Sequence, residues 1–144
     1  ATVDRAMATA LFQLGKTQEA SDIVEEYLRA YPTDEGGNVT SVKAMLLAKA
    51  GREREAEETI RRAVEIGTGF GHFHHTAYNI ASAYALLNKP EQAVKWLQVT
   101  ADDGFPCYPL FEHDANLNSL RKDERFIAIM AKLKQQWERY QATL

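Results

Sequence analysis

The chain has 144 residues, of which 45% are apolar and only 8 are Gly and 4 Pro, a balance that suits one ordered, mainly helical domain. Its 17 Lys and Arg against 20 Asp and Glu give a formal charge of −3, so no global field draws it to nucleic acid or anionic lipid. The lone Cys107 excludes an internal disulfide, and no apolar run approaches the length of a membrane span.

Taken in order, residues 3–14 read as a helix with Val3, Met7, Ala10, Leu11 and Leu14 inward. The helix begins almost at Ala1, as in a piece of a longer parent chain, and with no charged-then-apolar leader a cytoplasmic location is expected. Residues 17–30 form its partner, burying Ile23, Val24, Tyr27 and Leu28, and Pro32 ends the pair. After the break TDEGGN, helices over 39–50 and 53–66 bury Val42, Met45, Leu46, Ala56, Ile60, Ala63 and Val64. The glycine-rich tract 67–75 reads as a turn into a third pair. There, Ala77, Ile80, Ala81, Tyr84 and Leu87 line one helix, and Ala93, Val94, Leu97 and Ala101 line the next, with Asn88 and Lys89 at the corner and Pro90 in the first turn.

Pro106 and Pro109 then argue against a long helix, although residues 108–113 have room for a short turn of one. The apolar side chains Phe105, Tyr108, Leu110, Phe111, Leu117 and Leu120 are expected to cover the third pair. Residues 123–140 read as a closing amphipathic helix with Phe126, Ile129, Met130, Leu133 and Trp137 on one face.

The corner residues Gly15, Gly51 and Asn88 are followed at equal spacing by Ala20, Ala56 and Ala93, a period of 36 and then 37 residues. A methyl group is about all that a close helix crossing admits at that position. With the segments GKTQEA, GREREA and NKPEQA, the pattern resembles the tetratricopeptide repeat. The resemblance implies an all-α fold: an α-solenoid of three helical hairpins at about 1–34, 37–70 and 74–106, closed within the same domain by residues 107–144. The closing piece, with Gly104, Phe105, Leu117, Leu120 and DERF at 123–126, resembles the distal end of bacterial repeat proteins, some of which carry kinase or winged-helix domains. That likeness implies an accessory domain of a larger bacterial protein.

Such repeats commonly bind peptides or partner proteins on the concave face that their first helices line, and binding through that face is expected here. The positions the resemblance singles out are Thr2, Arg5, Thr9 and Phe12, then Asn38, Ser41, Met45 and Ala48, then His75, Tyr78, Ser82 and Ala85. Tyr and Phe there offer rigid anchors, and Arg5 a carboxylate partner. The carboxylate clamp found in some members is not expected, because its positions hold Arg5 with Thr9, Val42, and His75 with Asn79.

Catalytic and cofactor chemistry find little support. His72 and His75 share a face if that segment is helical, His74 then points elsewhere, and the set lacks the short paired spacings of a structural zinc site. Cys107 lies between Pro106 and Tyr108 in an apolar loop and reads as an inert thiol, while Glu53, Glu55, Glu57 and Glu58 read as a solvated face. Gly67, Gly69 and Gly71 lack the lysine and preceding strand of a phosphate loop. The expectation is a non-enzymatic scaffold without cofactor or metal. Its partner would be a protein or peptide segment, or another domain of the parent chain, with no direct nucleic-acid or membrane role. The alternative is a structural or weakly dimerising segment that uses the closing helix or a repeat edge.

Overall fold

The computed structural model describes the backbone of residues 2–144 and the side chains from Arg5 onward. Thr2 and Val3, as side chains, lie outside the described residues. Among the described residues the chain is all-helical: α1 (Thr2–Gln13), α2 (Thr17–Ala30), α3 (Asn38–Lys49), α4 (Glu53–Gly67), α5 (Phe73–Leu86), α6 (Pro90–Asp102), α7 (Tyr108–His113), a 3-10 helix (Ala115–Leu120) and α8 (Glu124–Ala142). None of these helices is long and apolar enough to cross a membrane.

Three corners are built alike. Gly15, Gly51 and Asn88 adopt φ of +76°, +76° and +58°. The next residue's N–H then reaches back over the helix end, from Lys16 to Leu11 O at 2.9 Å, from Arg52 to Leu47 O at 3.0 Å and from Lys89 to Tyr84 O at 2.9 Å. This left-handed cap satisfies carbonyls that the helix end leaves open and turns the chain straight into the partner helix. Five residues past each corner, Ala20, Ala56 and Ala93 are each 0% exposed. Helices α1 and α2, α3 and α4, and α5 and α6 therefore pair as hairpins, while α3 also packs against α1, α2 and α5, and α4 against α5.

Position decides how much of each helix is covered. On α4 a narrow stripe of Ala56, Ile60 and Ala63 is buried, and the opposite face carries the ion pairs Arg52–Glu55 at 2.6 Å and Arg54–Glu58 at 3.6 Å. Glu53 and Glu57 do more than solvate: both hold Lys89, which ties α4 to the third corner. Helices α3 and α5 are covered on most sides, so Thr40, Ser41, Thr76, Asn79 and Ser82 are buried with the apolar residues.

Two expectations about faces and limits need correction. Helix α1 turns Ala8 and Phe12 into the core, whereas Met7, Ala10 and Leu14 face out; Leu14 is 71% exposed, because it lies in the corner beyond the helix. Helix α5 starts at Phe73 inside the tract read as a turn, because Phe73 is buried beside Gly67 and lies edge-on to Trp96 at 6.2 Å.

The α2–α3 turn packs more tightly than its polar sequence suggests. Asp34 is buried, and its Oδ2 accepts 2.7 Å hydrogen bonds from both Thr40 N and Thr40 Oγ1. Gly37 opens α3 at φ +70°, and a Cβ there would stand 2.5 Å from the carbonyl oxygen of Ala63. Only glycine allows this turn to lie on α4.

The closing segment lies over the third hairpin, with Phe111, Leu117 and Leu120 buried and Ser119 Oγ donating to Ala85 O at 2.6 Å. Helix α8 follows, capped by Asp123, whose Oδ1 accepts from Arg125 N at 2.9 Å. Its carboxylate also takes two hydrogen bonds from the Arg125 side chain, at 3.1 and 2.9 Å. The guanidinium bonds first, then the helix N–H groups, hold the Asp123 carboxyl down to about 2.

Gly15→Ala, which meets only the left-handed backbone penalty, should cost about 1–2 kcal/mol. Gly37→Ala adds the collision with Ala63 and should cost about 3 kcal/mol or more, both read by urea denaturation. Because the Asp123 pKa is lowered on folding, its charge stabilises above the ordinary carboxylate range. The melting-temperature advantage of the wild type over Asp123→Asn should be complete above about pH 4 and shrink towards pH 2.

Candidate functional site

Helices α1 and α5, the α2–α3 turn with the start of α3, the α4–α5 loop and the closing segment line a cavity of about 830 Å³ that is open to solvent on one side. Its wall is largely carbon: Ala6 and Ala10 from α1, Phe70 from the α4–α5 loop, and Phe105 and Leu110 from the closing segment. Arg5, Gln13, Glu35, Asn38, Asn79, His72 and His75 supply polar groups. At one edge Asn116 Nδ2 donates to Gln13 Oε1 at 3.0 Å, linking the closing segment to α1.

Five of the residues singled out in the sequence meet at this cavity: Arg5, Thr9, Asn38, His75 and Tyr78. Arg5 is fixed by its Nε–H, which donates to Tyr27 Oη at 2.8 Å, and by its guanidinium lying 5.7 Å from the Tyr27 ring centre. Thr9 Oγ1 points back to Arg5 O at 3.4 Å.

Of the others, Phe12, Ser41, Met45, Ala48, Ser82 and Ala85 are buried in the helix layers and do not line the cavity, and the Thr2 side chain lies outside the described residues. Repeat numbering places them on a first-helix face, but α3 and α5 are hemmed in by neighbours on that side as well. Ser41 Oγ is engaged, donating to Asn38 O at 2.5 Å and accepting from Asn79 Nδ2 at 3.0 Å. Ser82 Oγ is buried without a hydrogen-bond partner. Thr76 Oγ1 donates to Gly36 O at 2.7 Å, anchoring the start of α5 to the α2–α3 turn.

Tyr78 shows the cavity little more than an edge. Its ring stacks on Phe111 at 5.2 Å and 11°, and its hydroxyl donates to Asp114 Oδ2. Asp114 also caps the 3-10 helix, accepting from Asn116 N at 2.9 Å through Oδ1. Burial above all, then the Asp114 charge and hydrogen bond, push the Tyr78 phenol far above its ordinary value. Arg121 donates to Phe111 O and Asp114 O, both at 2.9 Å, and fixes the loop that carries this pair.

The histidines depart from expectation. His72 precedes α5 with φ −117° and ψ 30°, off the helical lattice, so the three rings converge where regular spacing would separate them. The His74 and His75 ring centres are 4.4 Å apart, and His72 lies 5.8 and 6.2 Å from them. Burial, then the neighbouring His74 and His72, lower the pKa of His75.

Comparison of the chain with protein-family models, with curated proteins and with solved structures gave no match.

Sequence reasoning missed Phe70, Phe105, Leu110 and Glu35 as wall residues. Phe70 carried a usable signal: a large apolar side chain between glycines, 46% exposed, with no place in either helix stripe. Asp114 carried none, since its partner Tyr78 lies 36 residues away.

Tyr78→Phe removes the donor to a buried carboxylate and should cost about 1–3 kcal/mol at neutral pH. A raised phenol pKa stabilises the fold while the unfolded tyrosine remains protonated. The gap between wild type and variant in urea denaturation should hold up to about pH 10 and narrow above it.

Proposed function

We propose that this chain is a non-catalytic binding module, a solenoid of three tetratricopeptide-like hairpins closed by residues 107–144, which receives a short protein segment in the cavity between α1, α5 and the closing segment. One observation carries this reading. The largely apolar, half-open cavity of about 830 Å³ has Arg5 positioned in its wall, and its volume is within the range of ligand-binding clefts. Aliphatic or aromatic side chains would lie against Phe70, Phe105 and Leu110, while a carboxylate would reach the Arg5 guanidinium, whose terminal nitrogens are not used by Tyr27. The matched corners and the 36- and 37-residue spacing support the solenoid. A bacterial, cytoplasmic accessory role in a longer protein, with no direct nucleic-acid or membrane partner, completes the reading.

A non-enzymatic role is favoured by the pairing of Tyr78 with Asp114, which leaves neither free as a general acid or base. Dimerisation through α8 has less support. Trp137 is half-buried and packs on Tyr108 at 5.6 Å. Ile127 and Tyr140, the large exposed apolar residues of this helix, are 13 residues apart, roughly 140° around the axis, and so do not share a face.

The test is selection of displayed peptides on the wild-type protein, followed by calorimetry with the synthetic peptides. Ala10→Trp fills the cavity from an exposed position, and Arg5→Ala removes the cation. Each should weaken binding about 10-fold or more, while Lys134→Ala on α8 leaves it unchanged. Peptides that bind both cavity variants as tightly as wild type would refute the assignment.

A further inference from the structure

We infer that His72, His74 and His75 form a binding site for a divalent transition-metal cation of the zinc type at the margin of the cavity. The three imidazoles each offer a ring nitrogen, and these atoms all lie within 4.8 Å of one another. Tetrahedral zinc with bonds of about 2.0–2.1 Å holds its nitrogens about 3.4 Å apart, so the rings need close by no more than about 1.4 Å. His72 and His75 are exposed and can make that movement by side-chain rotation.

His74 is the fixed member. Its ring stacks on Phe105 at 5.7 Å and 21°, and its Nδ1 lies 3.4 Å from Asp103 Oδ2. That nitrogen is buried, and the approach to Asp103 does not have hydrogen-bond geometry, so the ring keeps an unpartnered polar atom inside the protein. The Asp103 carboxylate is the partner this nitrogen can acquire as an N–H donor, which leaves Nε2 as the atom that binds the ion. A carboxylate beside a histidine is also the usual outer support of a metal-bound imidazole.

An all-imidazole set selects zinc, copper, nickel or cobalt over magnesium and calcium, which require oxygen ligands. The cluster lies at the N-terminus of α5, whose dipole opposes a cation, but that effect is small beside three coordinate bonds, and the Asp103 charge works against it. Three protein ligands leave a coordination position open. Because His72 and His75 line the cavity, the open position is accessible to water or to a donor atom of whatever occupies it.

The experiment is equilibrium dialysis of the full chain, free of any affinity tag, against zinc chloride, with cobalt(II) absorption as a probe of tetrahedral geometry. One ion per chain is expected. His74→Ala and His75→Ala should each weaken binding about 10-fold or more, Asp103→Asn should weaken it about 10-fold, and His113→Ala should leave it unchanged. His75 is exposed, so its variant tests the site even if His74→Ala fails to fold. Absence of saturable binding, wild-type affinity in His75→Ala, or an equal loss in His113→Ala would overturn the assignment.

Discussion

Everything in this chain depends on reversing direction three times within one or two residues and then bringing two helices to near contact. A left-handed residue is needed at each corner, and Gly15 and Gly51 take that conformation without a Cβ penalty. At the third corner Asn88 does so, helped by the tolerance of asparagine for this region. Five residues later a larger side chain than alanine would push the helices apart, and Ala20, Ala56 and Ala93 are completely buried there. Corner and alanine work as a pair: one sets the direction of the second helix and the other its distance.

The cavity follows from how successive hairpins meet. The turn at Gly36 and Gly37 is drawn onto α4 so closely that no Cβ fits at Gly37, and the same turn accepts the Thr76 hydroxyl of α5. Helices α3 and α5 are thereby locked together, with Asn79 and Ser41 pairing between them. Helix α1 is held on the far side by its contacts with α2 and α3. The closing segment completes the enclosure because Tyr78 and Asp114 join it to α5, Ser119 joins it to Ala85, and Asn116 reaches Gln13. Its apolar residues divide accordingly: Phe111, Leu117 and Leu120 cover the third hairpin, while Leu110 turns to the cavity.

Polar groups in this region fall into two sets. Tyr78, Asp114, Ser41, Asn79 and Thr76 satisfy one another or the backbone, so their contribution is rigidity. Among the described residues, Arg5 and the three histidines retain donors or acceptors not engaged with one another near the cavity. A binding surface built this way has a stiff frame and a few available groups, which limits the ordering cost of receiving a ligand.

Much of the architecture was legible in the sequence because helical periodicity and corner chemistry are local. The six main helices, the three corners, the short helix over 108–113 and the apolar face of α8 all follow from spacing and from Gly, Asn and Pro positions. What could not be read locally was cover. Helix α1 buries Ala8 and Phe12 in place of the expected Met7 and Leu14, and Ser41 and Ser82 are enclosed by helices from other parts of the chain. The convergence of His74 with His72 and His75 was hidden for a related reason: His72 leaves the helical lattice, and Phe105, from beyond α6, holds the His74 ring. By itself the sequence determined which segments coil and where they reverse, since those choices depend on neighbouring residues. Tertiary structure alone decided which polar groups remain available, because that depends on contacts between residues distant in the chain.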